Sequence, residues 1–230
     1  MLKQKLLKTA GRLTRKKIRA KRKFLYFFPG GFEAEKYMAW ERTYKWNAHE
    51  EWKKWLNRTT FKHLLIENKF EEIAKRAILI EAKTNLLFSF EKMALRDAVK
   101  THEAARIFAD GLFEYIYGSG TIKEKLEGFR QTLSKLPRKQ TRVLTWPVLT
   151  VFGFIAHPTK HMFLKPMVTK AAAKKYDYDF MYKSSPGWET YESLLDFAAT
   201  IKKDVANLKP RDYIDLQSFI WVLGSEEYPD

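Results

Sequence analysis

Residues 33–57, EAEKYMAWERTYKWNAHEEWKKWLN, place Tyr37, Trp40, Tyr44, Ala48, Trp52 and Trp55 three or four positions apart. That spacing puts all six on one face of an α-helix, and large aromatic side chains on a single face read as core. Glu41 and Lys45 fall one turn apart, an order that supports an isolated helix. The stretch therefore predicts a long helix with a buried aromatic stripe.

The same rhythm continues downstream. Phe61, Leu64, Leu65, Phe70, Ile73, Ala77 and Ile80 recur at helical spacing, with a break expected at Asn68-Lys69. LLFSFEKMALRDAV and THEAARIFADGLFEYIYG follow, the second capped by Thr101, with Glu103 in its first turn and glycines at 118 and 120 to stop it. TIKEKLEGFRQTLSKL runs to Leu136. WPVLTVFGFIAHP (146–158) is apolar all round, so periodicity alone separates neither buried helix from buried strand; its helical neighbours decide for helix. A short helix over 169–175, an irregular stretch YDYDFMYKSSPGW, an amphipathic helix from Trp188 to Asn207 and a last helix after Pro210 complete an all-α chain. Neither an internal repeat nor a low-complexity linker interrupts it.

At 230 residues and 45% hydrophobic, the chain has ample material for a core. The expected layout is a single multi-helix domain, 24–230, preceded by a basic arm, 1–23, too charged at RKKIRAKRK to bury. Cysteine is absent, which excludes disulfides and thiolate metal sites and suits a reducing cytoplasm. No apolar run is long enough to span a bilayer. The lysine-rich, serine-free start argues against a transit peptide, and a cytoplasmic location is expected.

Forty-three Lys+Arg against 27 Asp+Glu give a net charge of +16, which points to an anionic partner. The charge is segregated. Residues 1–23 hold 11 bases and no acid, and 123–175 hold 12 bases and 2 acids, whereas 176–230 hold 5 bases and 11 acids. Leu2, Leu6, Ala10 and Leu13 form one helical stripe in the arm. Its cations Arg12, Arg15, Lys16, Lys17, Arg19, Lys21, Arg22 and Lys23 are candidates for phosphate pairing with steep salt dependence. An anionic membrane, a ribonucleoprotein surface or a plain solvated tail are the competing uses of such an arm. In the second block Lys135, Arg138, Lys139 and Arg142 surround a Leu-Pro turn that could present backbone N–H groups to phosphate.

His157 and His161 have helical metal spacing, but Pro158 lies between them and no carboxylate is near, so neither metal nor cofactor is expected. Glu81, Glu91 and Arg96 need partners on other helices if buried, and Asp97 can reach Lys100.

From Trp146 onward, WPVLTVFGFIAHP, HMFLKPMVTKAAAKKY, the Trp188-x-x-Tyr191 pair and LKPRDYIDLQSFIW follow in an order that resembles the terminal module of McrB-type restriction proteins. More distantly, residues 136–224 resemble the second half of helix-hairpin-helix DNA glycosylases. The chain departs from the latter in two places. Leu136-Pro137 is followed by RKQTRVLTW without the hairpin glycines, and Lys165 stands in the segment where the family carries its catalytic aspartate. The resemblance implies a DNA-binding scaffold without catalysis, in anti-phage defence or genome maintenance, with DNA favoured over RNA. The alternatives are a glycosylase- or lyase-like enzyme using Lys165, and a basic adaptor subunit with protein partners. Lys165 is expected to grip phosphate or a carboxylate such as Asp212 or Asp215. Asp212 and Asp215 are expected to cap the last helix, and Gln217 to be buried and hydrogen-bonded near Lys165.

Overall fold

The computed structural model describes residues 14–139 and 141–230, and these contain eleven α-helices of nine residues or more and no strand. In chain order they are α1 (Arg15–Phe27), α2 (Thr43–Trp55), α3 (Arg58–Ile66), α4 (Phe70–Ala82), α5 (Ser89–Ala98), α6 (His102–Tyr117), α7 (Ile122–Lys135), α8 (Trp146–Ala156), α9 (Pro166–Tyr176), α10 (Trp188–Asp204) and α11 (Tyr213–Gly224). The predicted stops hold for chemical reasons. Asn68 adopts φ 55°, the left-handed geometry asparagine tolerates, and separates α3 from α4. Thr101 and Thr121 cap α6 and α7 by accepting the amides of Ala104 and Glu124.

Helix α8 is the centre of the molecule. Every one of its residues is buried, and α2, α4, α6 and α7 all pack on it. Pro147 fits in its first turn because no intrahelical N–H is needed there. The ambiguous apolar run is thus a helix buried on all sides, which explains its lack of periodicity. Helices α9 and α11 pair most closely in the fold, and α1 packs on both.

The stretch 33–57 is helical but its stripe is broken. Between Glu35–Tyr37 and α2, residues Met38–Arg42 form a π turn in which the Thr43 amide donates to the Met38 carbonyl. A π turn inserts one residue, rotating everything after it by about 100° relative to an uninterrupted helix. Tyr37, Ala48 and Trp52 are core, whereas Trp40 and Trp55 are exposed. Glu41, Arg42 and Lys45 take the inward positions instead.

Those inward charges are paired. Arg42 donates to both oxygens of Asp212 (2.9 and 2.7 Å) and to Asp215 (2.8 Å). Asp215 also accepts the Tyr37 hydroxyl at 2.6 Å and the Arg211 backbone N–H at 2.8 Å. Lys45 donates to Glu41 (3.0 Å) and to the Ser218 hydroxyl (2.9 Å), while the Tyr228 hydroxyl donates to Glu41 at 2.7 Å. This network binds α11 and the chain after it to the π turn. Asp212 caps α11 as expected, accepting the amides of Ile214 and Asp215.

Three expectations are corrected here. Asp212 and Asp215 partner Arg42 and Arg211, not Lys165, because α11 lies against the π turn. Gln217 is buried, but its Oε1 has no hydrogen-bond partner among the described residues. The basic segment is not wholly a free arm: from Thr14 onward it is part of α1, whose Ala20 and Phe24 are buried. Phe24 packs on Phe28, Phe32, Tyr37 and Phe219, so α1 is anchored by the aromatic residues that follow it. Residues 1–13, including Arg12 and the Leu2, Leu6, Ala10, Leu13 stripe, lie outside the described residues.

Candidate nucleic-acid interface

Thr14 starts α1 by accepting the Lys17 amide, and the helix then carries seven cations in nine residues, Arg15 to Lys23. They divide by face. Toward the rest of the molecule, Lys16 pairs with Asp177 (2.6 Å), Lys17 with Asp204 (2.7 Å) and Lys23 with Asp230 (2.8 Å), and Lys21 donates to Asn207. The acidic segment 176–230 supplies all three carboxylates. Toward solvent, Arg15, Arg19 and Arg22 are exposed and carry no ion pair among the described residues. Their i, i+4, i+7 spacing makes one stripe about 10 Å long at 1.5 Å per residue.

Helix α9 completes a basic groove beside this stripe. Lys174 and Lys175 in its last turn face Lys16, Arg19 and Lys23 across a cleft that also contains Asp230. Two cations in the final turn suit the negative end of the helix. Burial lowers the pKa of Lys23, opposed by its bond to Asp230, and the charge of Lys175 lowers it further. The Asp230 carboxyl is pulled down to about 2 by its hydrogen bonds from Lys175 and Lys23.

Glu91 links the start of α9 to the end of the 136–145 loop. Lys165, the residue before α9, sits 4.0 Å from Glu91 of α5, whose other oxygen accepts from Thr145 at the end of the 136–145 loop. Lys135 at the end of α7, and Arg138, Lys139 and Arg142 in that loop, are exposed. Lys170 lies mid-helix over the Tyr182 ring. At about 1.5 Å per residue, α9 spans roughly 15 Å between the loop side and the α1 groove.

Lys165 itself does not join this surface. Its ammonium donates to the Leu86 carbonyl at 2.8 Å and lies 3.3 Å from the centroid of the Phe88 ring, buried. Burial pulls its pKa down to about 8, against the charges of Glu91 and Glu81. Glu81 in turn is held by Lys92, the Thr84 hydroxyl and the Leu87 amide, so Lys165 pins the 83–88 loop against α5. Its expected phosphate contact is corrected: the amine faces inward. Asp97 does pair with Lys100, at 2.7 Å.

His161 is buried edge-on to Tyr115, and burial, then the charges of His157, Lys125 and Lys160, lower its pKa to about 3. Among the described residues no group of three or more His, Cys, Asp or Glu is placed to hold a metal, and no helix is long and apolar enough to cross a membrane.

Of the interface, the sequence points to the α1 cations, the loop bases and the 135–175 face as a whole, but singles out neither Lys170, Lys174 and Lys175 nor Asp230. The acid-free run 158–176 was the available signal for the lysines. Asp230 had none, because only the fold brings it to α1. Comparison of the chain with protein families, with curated proteins and with solved structures finds no match.

Proposed function

We propose that the protein binds nucleic acid, duplex DNA in preference to RNA, through the solvent stripe of α1 and the lysines of α9, and does so without catalysis. The observation that carries the reading is the division of charge on α1. Its inner cations Lys16, Lys17 and Lys23 are matched by acids of the same chain, while Arg15, Arg19 and Arg22 remain exposed, Arg19 beside Lys174 and Lys175. Arginine presents a planar fork of donors to phosphate, and a row of them on a docked helix holds its position where a free tail would not. Lys135, Lys139 and Arg142 extend the basic surface from the far end of α9. The resemblance of residues 136–224 to the McrB-type module favours DNA and a setting in defence or genome maintenance.

The test is a salt titration of binding to duplex DNA, single-stranded DNA and RNA by the full chain and by Arg15→Gln/Arg19→Gln/Arg22→Gln. Each phosphate contact contributes about 0.9 to the slope of log affinity against log salt on duplex DNA. The triple substitution should lower that slope by about 2 to 3. An unchanged slope with unchanged affinity refutes the role of the stripe. Failure of the unsubstituted chain to bind any of the three leaves the adaptor reading in its place.

A further inference from the structure

The floor of the α1–α9 groove has more positive charge than its own acids neutralise. Lys16, Arg19, Lys23, Lys174 and Lys175 line it with Asp230 as the single acid among them, and Asp177 outside the groove takes Lys16. Asp230 bridges the two helices: its Oδ1 accepts from Lys23 at 2.8 Å and from Lys175 at 2.9 Å, and its Oδ2 lies 2.8 Å from Lys175. Lys23 is the unusual member. Its side chain is only 9% exposed, and Asp230 is its only salt-bridge partner among the described residues. Lysine is rarely so enclosed without a specific anion to hold.

A carboxylate and a phosphate offer ammonium groups the same thing, anionic oxygens accepting at about 2.7–2.9 Å. We propose that the Lys23–Asp230–Lys175 bridge marks a phosphate-binding subsite, in which the Asp230 carboxylate occupies the place a phosphodiester of bound nucleic acid takes between the two ammonium groups. This deepens the reading above and rests on it for the identity of the ligand. Arg19, on the stripe and also lining the groove, is the link: a backbone tracking Arg15, Arg19 and Arg22 passes the groove mouth, and its phosphate competes with Asp230. The carboxylate is held down near the bottom of the acid range, so it remains ionised and competes throughout the neutral region.

The test uses the full chain with Asp230→Asn, and Glu192→Gln on the exposed face of α10 as a control that changes net charge equally. Duplex binding is titrated with salt, and inorganic phosphate is titrated separately into each protein while backbone amides are followed by NMR. Asp230→Asn should tighten duplex binding about five- to tenfold near 0.1 M salt and steepen the slope by about 1, the signature of one added phosphate contact. Glu192→Gln should do neither. Phosphate should give saturable shifts at residues 16–23 and 174–175 in Asp230→Asn, weakened by adding Lys175→Gln. Equal effects of the two neutralising substitutions on duplex binding, or phosphate shifts that do not saturate, overturn the subsite. Saturable phosphate binding in a protein that binds no nucleic acid keeps the subsite and removes the proposed function.

Discussion

Replacing Arg42 with methionine removes the guanidinium from between two buried carboxylates, and its consequence can be worked from the contacts. Arg42 makes three charge-assisted hydrogen bonds of 2.7–2.9 Å to Asp212 and Asp215. Burial by itself would lower the arginine pKa, but the bonds and charges of Asp212 and Asp215 outweigh it and raise it, so the group is held as a cation. Without it Asp215 keeps Tyr37 and Arg211, whereas Asp212 keeps only the amides it caps. Breaking one side of a buried ion pair costs about 3–5 kcal/mol, because the remaining charge is left desolvated. For a chain of this size each kcal/mol moves Tm by about 2–4 °C, so Arg42→Met should lower it by about 6–20 °C. The assay is chemical and thermal unfolding of the single variant and of Arg42→Met/Asp212→Asn/Asp215→Asn. The neutral triple should recover part of the loss, since no uncompensated charge stays buried and an asparagine side chain in place of Asp212 can still cap α11. A loss below about 1 kcal/mol for the single variant, within the range of a surface pair, refutes the claim that this network holds α11 to the π turn.

Three other outcomes follow from the same structure. His161 has a folded pKa of about 3 against 6.5 in the unfolded chain, so its contribution is fully present above pH 6.5 and is lost as pH falls toward 3. The loss reaches at most about 1.4 kcal/mol per pH unit, and His161→Phe should flatten the fall in urea midpoint between pH 6 and 4; an identical slope in the two proteins contradicts it. A Cβ at Gly224 would overlap the Val168 carbonyl, a backbone atom that cannot turn aside, so Gly224→Ala should destabilise by about 1–3 kcal/mol by forcing α9 from α11, read by the same unfolding. Lys165→Met should leave the salt slope of nucleic-acid binding unchanged because the amine points inward at Leu86, and a fall of about 1 in that slope would return Lys165 to the interface.

The elements were legible where a local signal existed. The Thr101 cap and the Asn68 break are written in a few adjacent residues and both were expected, whereas the apolar run of α8 was assigned to helix only from its helical neighbours. The π turn at Met38–Arg42 was not, because it costs nothing in composition: the residues suit an ordinary helix, and only the need to bring Arg42 to Asp212 and Asp215, 170 and 173 positions away, selects the extra residue per turn. The same limit applies to the candidate interface. Charge on α1 is visible in the chain, but which cations are consumed depends on contacts to residues 177, 204 and 230.

That long-range pairing changes what the charge segregation means. A basic segment of +11 and an acidic segment of −6, read separately, suggest one surface that attracts a polyanion and another that repels it. Folded together, three of the acids lie against the inner face of α1, and two of them, Asp177 and Asp204, hold this helix of closely spaced cations in place. Without acids, Lys16 and Lys23 would face Lys174 and Lys175 across the groove with like charge on both sides, and Lys17 would be left without a carboxylate partner among the described residues. With them, the docked helix keeps the exposed arginines Arg15, Arg19 and Arg22 in a fixed row, so the acids that reduce the local charge also create the ordered part of it. Neutralising Asp177 and Asp204 is therefore expected to loosen α1, whereas neutralising Asp230 in the groove adds a phosphate contact. Hydrogen exchange across residues 15–27 separates the two: faster exchange on removing Asp177 and Asp204 together, with little change for Asp230→Asn, is the pattern this division of roles requires, and uniform protection in all three proteins contradicts it.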